Sequence, residues 1–280
     1  MTGQQIADLP PLREVIATHG LAARKALGQN FLLDLNLTTR IARAAGDLSG
    51  CNIVEIGPGP GGLTRAILME GAQRLVAVER DRRCLEALEP LVECANGRLA
   101  LVDADALKVD PVALIEAPRA IIANLPYNIA TPLLLRWLKS IDAFQVLVLM
   151  FQKEVGDRLL ASPGSKTYGR LSVITQWRAE VQGVMTLPAR AFTPAPKVES
   201  TVVRLTPRQN PEPAAFEAME TVTAAAFGQR RKMLRSSLRT LCRADQLLAE
   251  TGLDPTARAE TIDVAGFAAL ARAYQASRSD

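Results

Sequence analysis

The sequence predicts an α/β fold, an open and mostly parallel sheet with helices, followed by a small all-helical region. Three observations predict it. Short apolar runs of strand length alternate with helix-period segments over the first two-thirds of the chain. One of those runs enters a glycine-rich turn, Gly57-Pro58-Gly59-Pro60-Gly61-Gly62, that opens a helix. A linker rich in proline and polar residues, Pro207 to Pro213, separates this part from a tail whose pattern is helical.

Leu12 to His19 fits a short amphipathic helix, and Arg24 to Leu32 a basic, glycine-containing turn. Asp34 is placed to cap a helix through Leu37, Ile41 and Ala45 that ends near Gly46. Asn52 to Ile56 reads as a buried strand running into the glycines, and the next helix carries Leu63, Ile67 and Leu68 as far as Gly71. Leu75 to Val78 is a strand ending at Glu79, Leu85 to Val92 a helix, Leu99 to Val102 a strand followed by Asp105, and Ala120 to Ala123 a strand ending at Asn124. Gln145 to Phe151 is apolar enough for a central strand, with a helix over Val155 to Leu160 and a turn-forming loop at Ser162 to Lys166. Ser172 to Gln176, Val181 to Leu187 and Lys197 to Leu205 read as further strands. Helices are expected over Phe216 to Phe227, Arg230 to Cys242, Ala244 to Glu250 and Val264 to Ala276. The domain boundaries follow as 1–206 and 207–280.

Composition narrows the chemistry. Of 280 residues, 48% are hydrophobic and 22% charged, which is the balance of a globular protein with a proper core. No stretch approaches a membrane span and the N-terminus lacks the pattern of a secretory signal, so a cytoplasmic protein is expected. Cys51, Cys84, Cys94 and Cys242 show no metal-ligand spacing, and they are read as reduced, mostly buried thiols with no metal site. A single histidine, His19, leaves histidine-based triads without support. The net charge of +4 allows a polyanionic partner without identifying one.

Ligands of open parallel sheets sit outside the carboxyl ends of the strands, so Gly57, Glu79, Asp105 and Asn124 should meet in one crevice. The glycines fit both nicotinamide dinucleotides and other nucleoside cofactors. Glu55 favours a cation, because a carboxylate beside the loop repels a pyrophosphate and attracts a sulfonium or ammonium group. Glu79 suits two ribose hydroxyls, and Asp105 an adenine amine or a helix N-cap. Asn124-Leu125-Pro126-Tyr127 suggests a nucleobase site: an amide oxygen and the Leu125 carbonyl to accept amine hydrogens, a proline to fix the backbone, and a ring for stacking.

Several motifs in order resemble the S-adenosylmethionine-dependent ribosomal RNA adenine N6-dimethyltransferases of the KsgA/RsmA type. They are Leu27-Gly28-Gln29-Asn30-Phe31-Leu32, Glu55-Ile56-Gly57-Pro58-Gly59, Asn124-Leu125-Pro126-Tyr127-Asn128-Ile129 and Gln152-Lys153-Glu154-Val155. Tyr168-Gly169-Arg170-Leu171-Ser172, Phe192-Thr193-Pro194-Ala195-Pro196-Lys197-Val198 and Phe227-Gly228-Gln229-Arg230-Arg231-Lys232 continue the series. The resemblance implies a Rossmann-like methyltransferase domain and a helical RNA-binding domain. It implies that Asn30, Leu32, Gly57, Glu79, Asp105 and Asn124 line the S-adenosylmethionine site, and that Asn124, Leu125, Pro126 and Tyr127 face the adenine. Phe192 either presses on the other face of the base or anchors the core. The implied substrate is a pair of adjacent adenosines near the 3′ end of 16S ribosomal RNA in the assembling small subunit, met by a monomer without a metal.

Arg230, Arg231, Lys232, Arg235, Arg239 and Arg243 run without an intervening acid. On a helix, Arg231, Arg235 and Arg239 would form one stripe while Phe227, Leu234, Leu238 and Leu241 face the core. With an RNA substrate the stripe is read as a phosphate contact, extended by Arg24, Lys25, Lys153, Arg158 and Lys166.

Overall fold

A computed structural model describes residues 2–22, 28–241 and 243–278. Arg24, Lys25, Leu27 and Cys242 lie outside the described residues. The chain divides into two compact units, Met1–Gly156 with Gln182–Pro207, and Asp157–Val181 with Arg208–Asp280. The linker is a crossing point at Pro207, but a second excursion, 157–181, also belongs with the helical unit. A sequence boundary drawn at one linker cannot register such an insertion.

The first unit begins with α1 (Thr2–Ala7) and α2 (Leu12–Thr18), then β1 (Phe31–Leu32) and α3 (Leu35–Arg43). Asp34 caps α3 by accepting from the amides of Asn36 and Leu37. The sheet and its crossovers follow as β2 (Asn52–Ile56), α4 (Gly62–Met69), β3 (Arg74–Glu79), α5 (Arg82–Cys94), β4 (Leu99–Asp103), α6 (Pro111–Leu114) and β5 (Arg119–Asn124). Next come α7 (Tyr127–Lys139), β6 (Val146–Gln152), α8 (Lys153–Leu159), α9 (Arg170–Arg178), β7 (Ala179–Leu187), β8 (Phe192–Thr193) and β9 (Ser200–Pro207). The strand order is β4-β3-β2-β5-β6-β9-β7. β2 pairs in parallel with both β3 and β5, β3 with β4, and β5 with β6, whereas β9 runs antiparallel to β6. The order reverses between β2 and β5, which opens a crevice at their carboxyl ends. Every residue of β2 is buried, as are Val146 to Phe151 of β6, because helices cover both faces of a parallel sheet. A separate two-stranded ribbon pairs Phe31 with Thr193 and Leu32 with Phe192.

The glycine turn enters α4 under tight steric limits. Gly61 takes a φ of 91°, a left-handed conformation that favours glycine. A Cβ on Gly62 would stand 2.7 Å from the Leu32 carbonyl oxygen and 3.0 Å from Leu12 Cδ1. Neither residue tolerates a side chain without moving the backbone that forms the crevice wall.

The second unit holds α9 together with α10 (Phe216–Gly228), α11 (Leu234–Ser237), α12 (Ala244–Thr251) and α13 (Val264–Ala276). Phe227 lies against Tyr168 and Phe267, with ring centroids 6.1 and 5.4 Å apart. Two expectations are corrected here. Ser172 to Gln176 is helix, within α9, rather than strand. Ser172 to Thr175 are all buried, and a run buried on every side carries no period to separate helix from strand. The Ser172 hydroxyl decides locally: it accepts from the Gly169 amide at 3.0 Å and donates to the Arg158 carbonyl at 2.6 Å.

The second correction concerns Arg230 to Cys242, which is not one helix. The Leu234 amide donates to the Ala257 carbonyl and the Arg235 amide to the Pro255 carbonyl, while Met233 bridges Arg258. Those amides are spent on a crossing segment instead of the preceding turn, so helix cannot pass through. Only α11 and a 3-10 turn over Leu238–Thr240 remain, and Arg231, Arg235 and Arg239 do not share a single helical stripe. α7, with Pro132 inside it, is a helix that the sequence reading does not include.

Replacing Gly62 with Ala is expected to lower stability by about 1–3 kcal/mol, the usual cost of overfilling a close contact. Urea unfolding of the variant measures it, and an unchanged midpoint would show that Leu32 can withdraw.

Candidate active site

The carboxyl ends of β2, β3, β4 and β5 meet in a crevice lined by Asn30, Leu32, Gly57, Glu79, Asp105 and Asn124. Leu125, Pro126 and Tyr127 line it as well. Gly57 and Gly59, with φ of 68° and 56°, carry the floor, and a Cβ on Gly59 would strike the Phe31 ring at 3.0 Å. Glu79 ends β3 nearly buried, at 7% exposure. Burial raises its pKa, opposed by three backbone amides that donate to its carboxylate: Gly59 at 3.4 Å, and Arg80 and Asp81 at 2.9 Å. The glycine loop and the β3 terminus are thereby joined through one side chain.

Asp105 takes the capping role and also lines the crevice. One oxygen accepts from the Leu107 amide at 3.0 Å, capping a 3-10 turn, while the other stands 3.7 Å from Arg80. The residue still lines the crevice.

Asn124 closes β5 opposite Met150 of β6. Its side-chain NH₂ donates to the Asn30 backbone carbonyl at 3.2 Å. That bond occupies one of the two donor hydrogens and sets which way the amide faces, with Oδ1 as its acceptor end. Leu125 is buried, and Pro126, without an amide hydrogen, precedes the first residue of α7. Tyr127 opens that helix, and its hydroxyl is 2.6 Å from the Ser200 Oγ. Ser200 is fully buried at the start of β9, opposite Gln152 of β6. The β5-β6-β9 pairing therefore supplies an anchor for the tyrosine ring from 73 residues away. Ser200 carried no signal in the sequence beyond its place after the Phe192 to Val198 motif.

Phe192 is not brought to this crevice. At 3% exposure it belongs to the hydrophobic core and pairs with Leu32 in the ribbon. A phenylalanine in a two-stranded ribbon gains more from burial than from an open groove.

Glu55 lies at the base of the crevice, 1% exposed. Burial pushes its pKa up to about 8, and the nearby Glu79 adds to the rise. The Thr64 hydroxyl opposes the shift but falls outside hydrogen-bonding geometry, so Oε2 has no partner. A buried carboxyl beside a crevice favours its charged form once an opposite charge is bound near it.

In the helical unit, Arg230 gives its guanidinium to Glu260 at 2.7 Å and to the Ser165 carbonyl at 3.4 Å. Arg231, Lys232, Arg235 and Arg239 are exposed and make no ion pair with the described residues. Lys166 is exposed in its loop; Lys153 and Arg158 have partners. Among the described residues, no cluster of His, Cys, Asp or Glu is arranged to hold a metal ion. No described helix is long and apolar enough to cross a membrane.

Residues 20–276 match the family model described as ribosomal RNA adenine dimethylase. The chain belongs to that family. It is 64% identical over 272 residues to the ribosomal RNA small subunit methyltransferase A of Rhodospirillum rubrum, covering 97% of this chain and 94% of the relative. The protein of the same name from Paramagnetospirillum magneticum is 63% identical over 276 residues, covering 98% of each. Among solved structures, the 23S rRNA methyltransferase ErmE superposes with a TM-score of 0.67 at 26% identity, over 88% of this chain and 100% of that one. A dimethyladenosine transferase from Plasmodium falciparum, at 24% identity and a TM-score of 0.73 over 85% of this chain and 94% of that one, shares the fold. The fold is thus the Rossmann-like methyltransferase fold of this family.

Glu55 makes this crevice sensitive to pH. Its carboxyl ionises near 4.5 when unfolded and near 8 when folded, so between those values the native protein holds a proton that the unfolded chain has lost. Its contribution to stability is complete below pH 4.5 and is lost as pH rises through 8. The ligand-free Glu55→Gln variant should therefore gain on the wild type between about pH 5 and 8 in urea unfolding. A difference that stays constant with pH would contradict this.

Proposed function

We propose that this protein transfers methyl groups from S-adenosylmethionine to the N6 amines of two adjacent adenosines near the 3′ end of small-subunit ribosomal RNA. The single observation that carries the reading is the Asn124 amide, whose donor end is tied to Asn30 and whose oxygen is left to accept from an amine. The names of the close relatives support the same substrate class.

The residues of the crevice fit the methyl donor. Glu79, held by three amides, retains lone pairs for ribose hydroxyls, and the glycine floor leaves room for the nucleoside. Asp105 receives the adenine amine, and Glu55 sets a buried carboxyl near the positive charge of the methionine part. S-adenosylmethionine supplies an electrophilic methyl carbon on a sulfonium.

An adenine amine is a weak nucleophile because its lone pair is delocalised into the ring. Accepting its two hydrogens at Asn124 Oδ1 and the Leu125 carbonyl favours a pyramidal nitrogen whose lone pair is free. The new N–C bond forms as the S–C bond breaks, the thioether leaves with the electron pair, and the amine proton passes to solvent. Positioning and polarisation carry catalysis, with no strong base needed. Tyr127, anchored by Ser200, stacks on the flipped base, a contact worth about 1–3 kcal/mol. Arg231, Lys232, Arg235 and Arg239 bind RNA phosphates as a cluster of short segments, and Arg230 braces the loop beside them. The protein acts in the cytoplasm on an assembling small subunit, as a monomer and without a metal.

Asn124→Ala is expected to bind S-adenosylmethionine within about threefold of wild type yet lose methylation by at least about 100-fold, as for loss of a preorganised polar group. Labelled S-adenosylmethionine with undermethylated small subunits, followed by mapping of the modified nucleotides, measures both proteins. Retained turnover in the variant, or label outside adenine N6 in the wild type, would refute the mechanism.

A further inference from the structure

A second concavity lies in the same unit as the crevice, and three arginines from three separate elements line it. Arg13 comes from α2, Arg40 from the last turn of α3, and Arg190 from the 3-10 turn Ala189–Ala191. All three are exposed, and none of their guanidinium groups makes a hydrogen bond or ion pair with a described residue. Other arginines of this unit behave differently: Arg43 binds Glu70 at 2.8 Å, Arg82 binds Asp103 at 3.2 Å and Arg83 binds Asp81 at 2.6 Å.

The one carboxylate lining the groove, Asp34, directs Oδ1 to the amides that start α3. It is exposed and forms no ion pair with a described residue, so the groove carries an excess of positive charge. The groove is also lined by Leu12, Leu37 and Leu187, the kind of apolar surface along which arginine stems lie while their guanidinium groups stay in water. Unpaired guanidinium groups gathered in one concavity repel one another, and an anion with several oxygens relieves that repulsion through forked hydrogen bonds.

The groove and the crevice share a wall. Phe31 and Leu32 line the crevice, whereas the next two residues, Leu33 and Asp34, line the groove. Thr193, the register partner of Phe31, also lines the groove. Leu12 belongs to the groove and stands beside Gly62, which lines the crevice. A nucleic-acid strand whose base enters the crevice can therefore continue over the β1-β8 ribbon without leaving this unit.

We propose that Arg13, Arg40 and Arg190 form a second phosphate-binding site that holds the RNA backbone flanking the target adenosine. This rests on the RNA reading above and adds to it a contact surface on the catalytic unit, separate from the basic cluster of the helical unit. Its energetic role is to fix the strand's direction across the crevice, since phosphate contacts set register and orientation without reading sequence.

The test compares the full-length wild type with the triple variant Arg13→Gln, Arg40→Gln, Arg190→Gln. Fluorescence anisotropy with a short adenine-containing single-stranded RNA gives affinity across a salt series, and methylation of undermethylated small subunits gives KM and kcat. The variant should bind the RNA about tenfold more weakly at low salt. Three lost contacts at about 0.7 each should reduce its slope of log affinity against log salt by about 2. The KM for subunits should rise while kcat, S-adenosylmethionine affinity and the unfolding midpoint stay at wild-type values. Unchanged RNA affinity and slope in a folded variant overturn the proposal. A raised KM with unchanged RNA affinity also overturns it, by assigning the groove to an acidic protein surface of the subunit. Wild-type protein that binds RNA through the groove but methylates no subunit would support the site while refuting the function proposed above.

Discussion

The parallel pairing of β2 with β5 at the centre of the sheet is the constraint on which the crevice depends. Because β3 and β4 extend the sheet from one side of β2 and β6 from the far side of β5, the loops after these two strands diverge and leave a gap between them. One lip of the gap is Gly57 to Gly62 and the other is Asn124 to Tyr127. Pro126 Cδ and Cγ would lie 3.6 and 3.8 Å from a Cβ on Gly57, so the two lips come within van der Waals contact. A change in register by one residue would turn Asn124 away from the crevice and expose a core side chain in its place.

Around that centre, the polar groups are arranged by hydrogen-bond partners that belong to the backbone. Glu79 is held by amides of the glycine loop and of the turn after β3, while Asn124 is oriented by the carbonyl of Asn30. Backbone partners move only if the fold moves, which makes the acceptor at Asn124 a fixed feature before any base arrives. Glu55 is the exception, buried with an oxygen unmet and therefore sensitive to what enters. A neutral carboxyl in the free protein becomes a counter-ion once a cation is bound beside it.

Much of this site was legible in the sequence because parallel sheets place their chemistry at strand ends. Gly57, Glu79, Asp105 and Asn124 each stand at or just after the end of a short apolar strand bounded by turn residues. The pattern failed where burial erased periodicity, as in Ser172 to Thr175, and where tertiary hydrogen bonds took amides from a helix, as at Leu234 and Arg235. The anchor at Ser200 was invisible for a different reason: it depends on β9 inserting antiparallel beside β6, a pairing that no local pattern specifies. Phe192 shows the same limit in reverse, a residue in a recognisable motif whose ring the ribbon with β1 turns into the core.

The central claim is geometric: the fixed amide of Asn124 presents its oxygen to an adenine amine. A crystal structure of the protein with adenosine and a non-reactive analogue of S-adenosylmethionine measures this directly. The account predicts Asn124 Oδ1 within about 3.1 Å of the adenine N6, with the Nδ2 donor still on the Asn30 carbonyl. An Asn124 side chain turned away from the base, or an adenine held with its amine pointing out of the crevice, would contradict it.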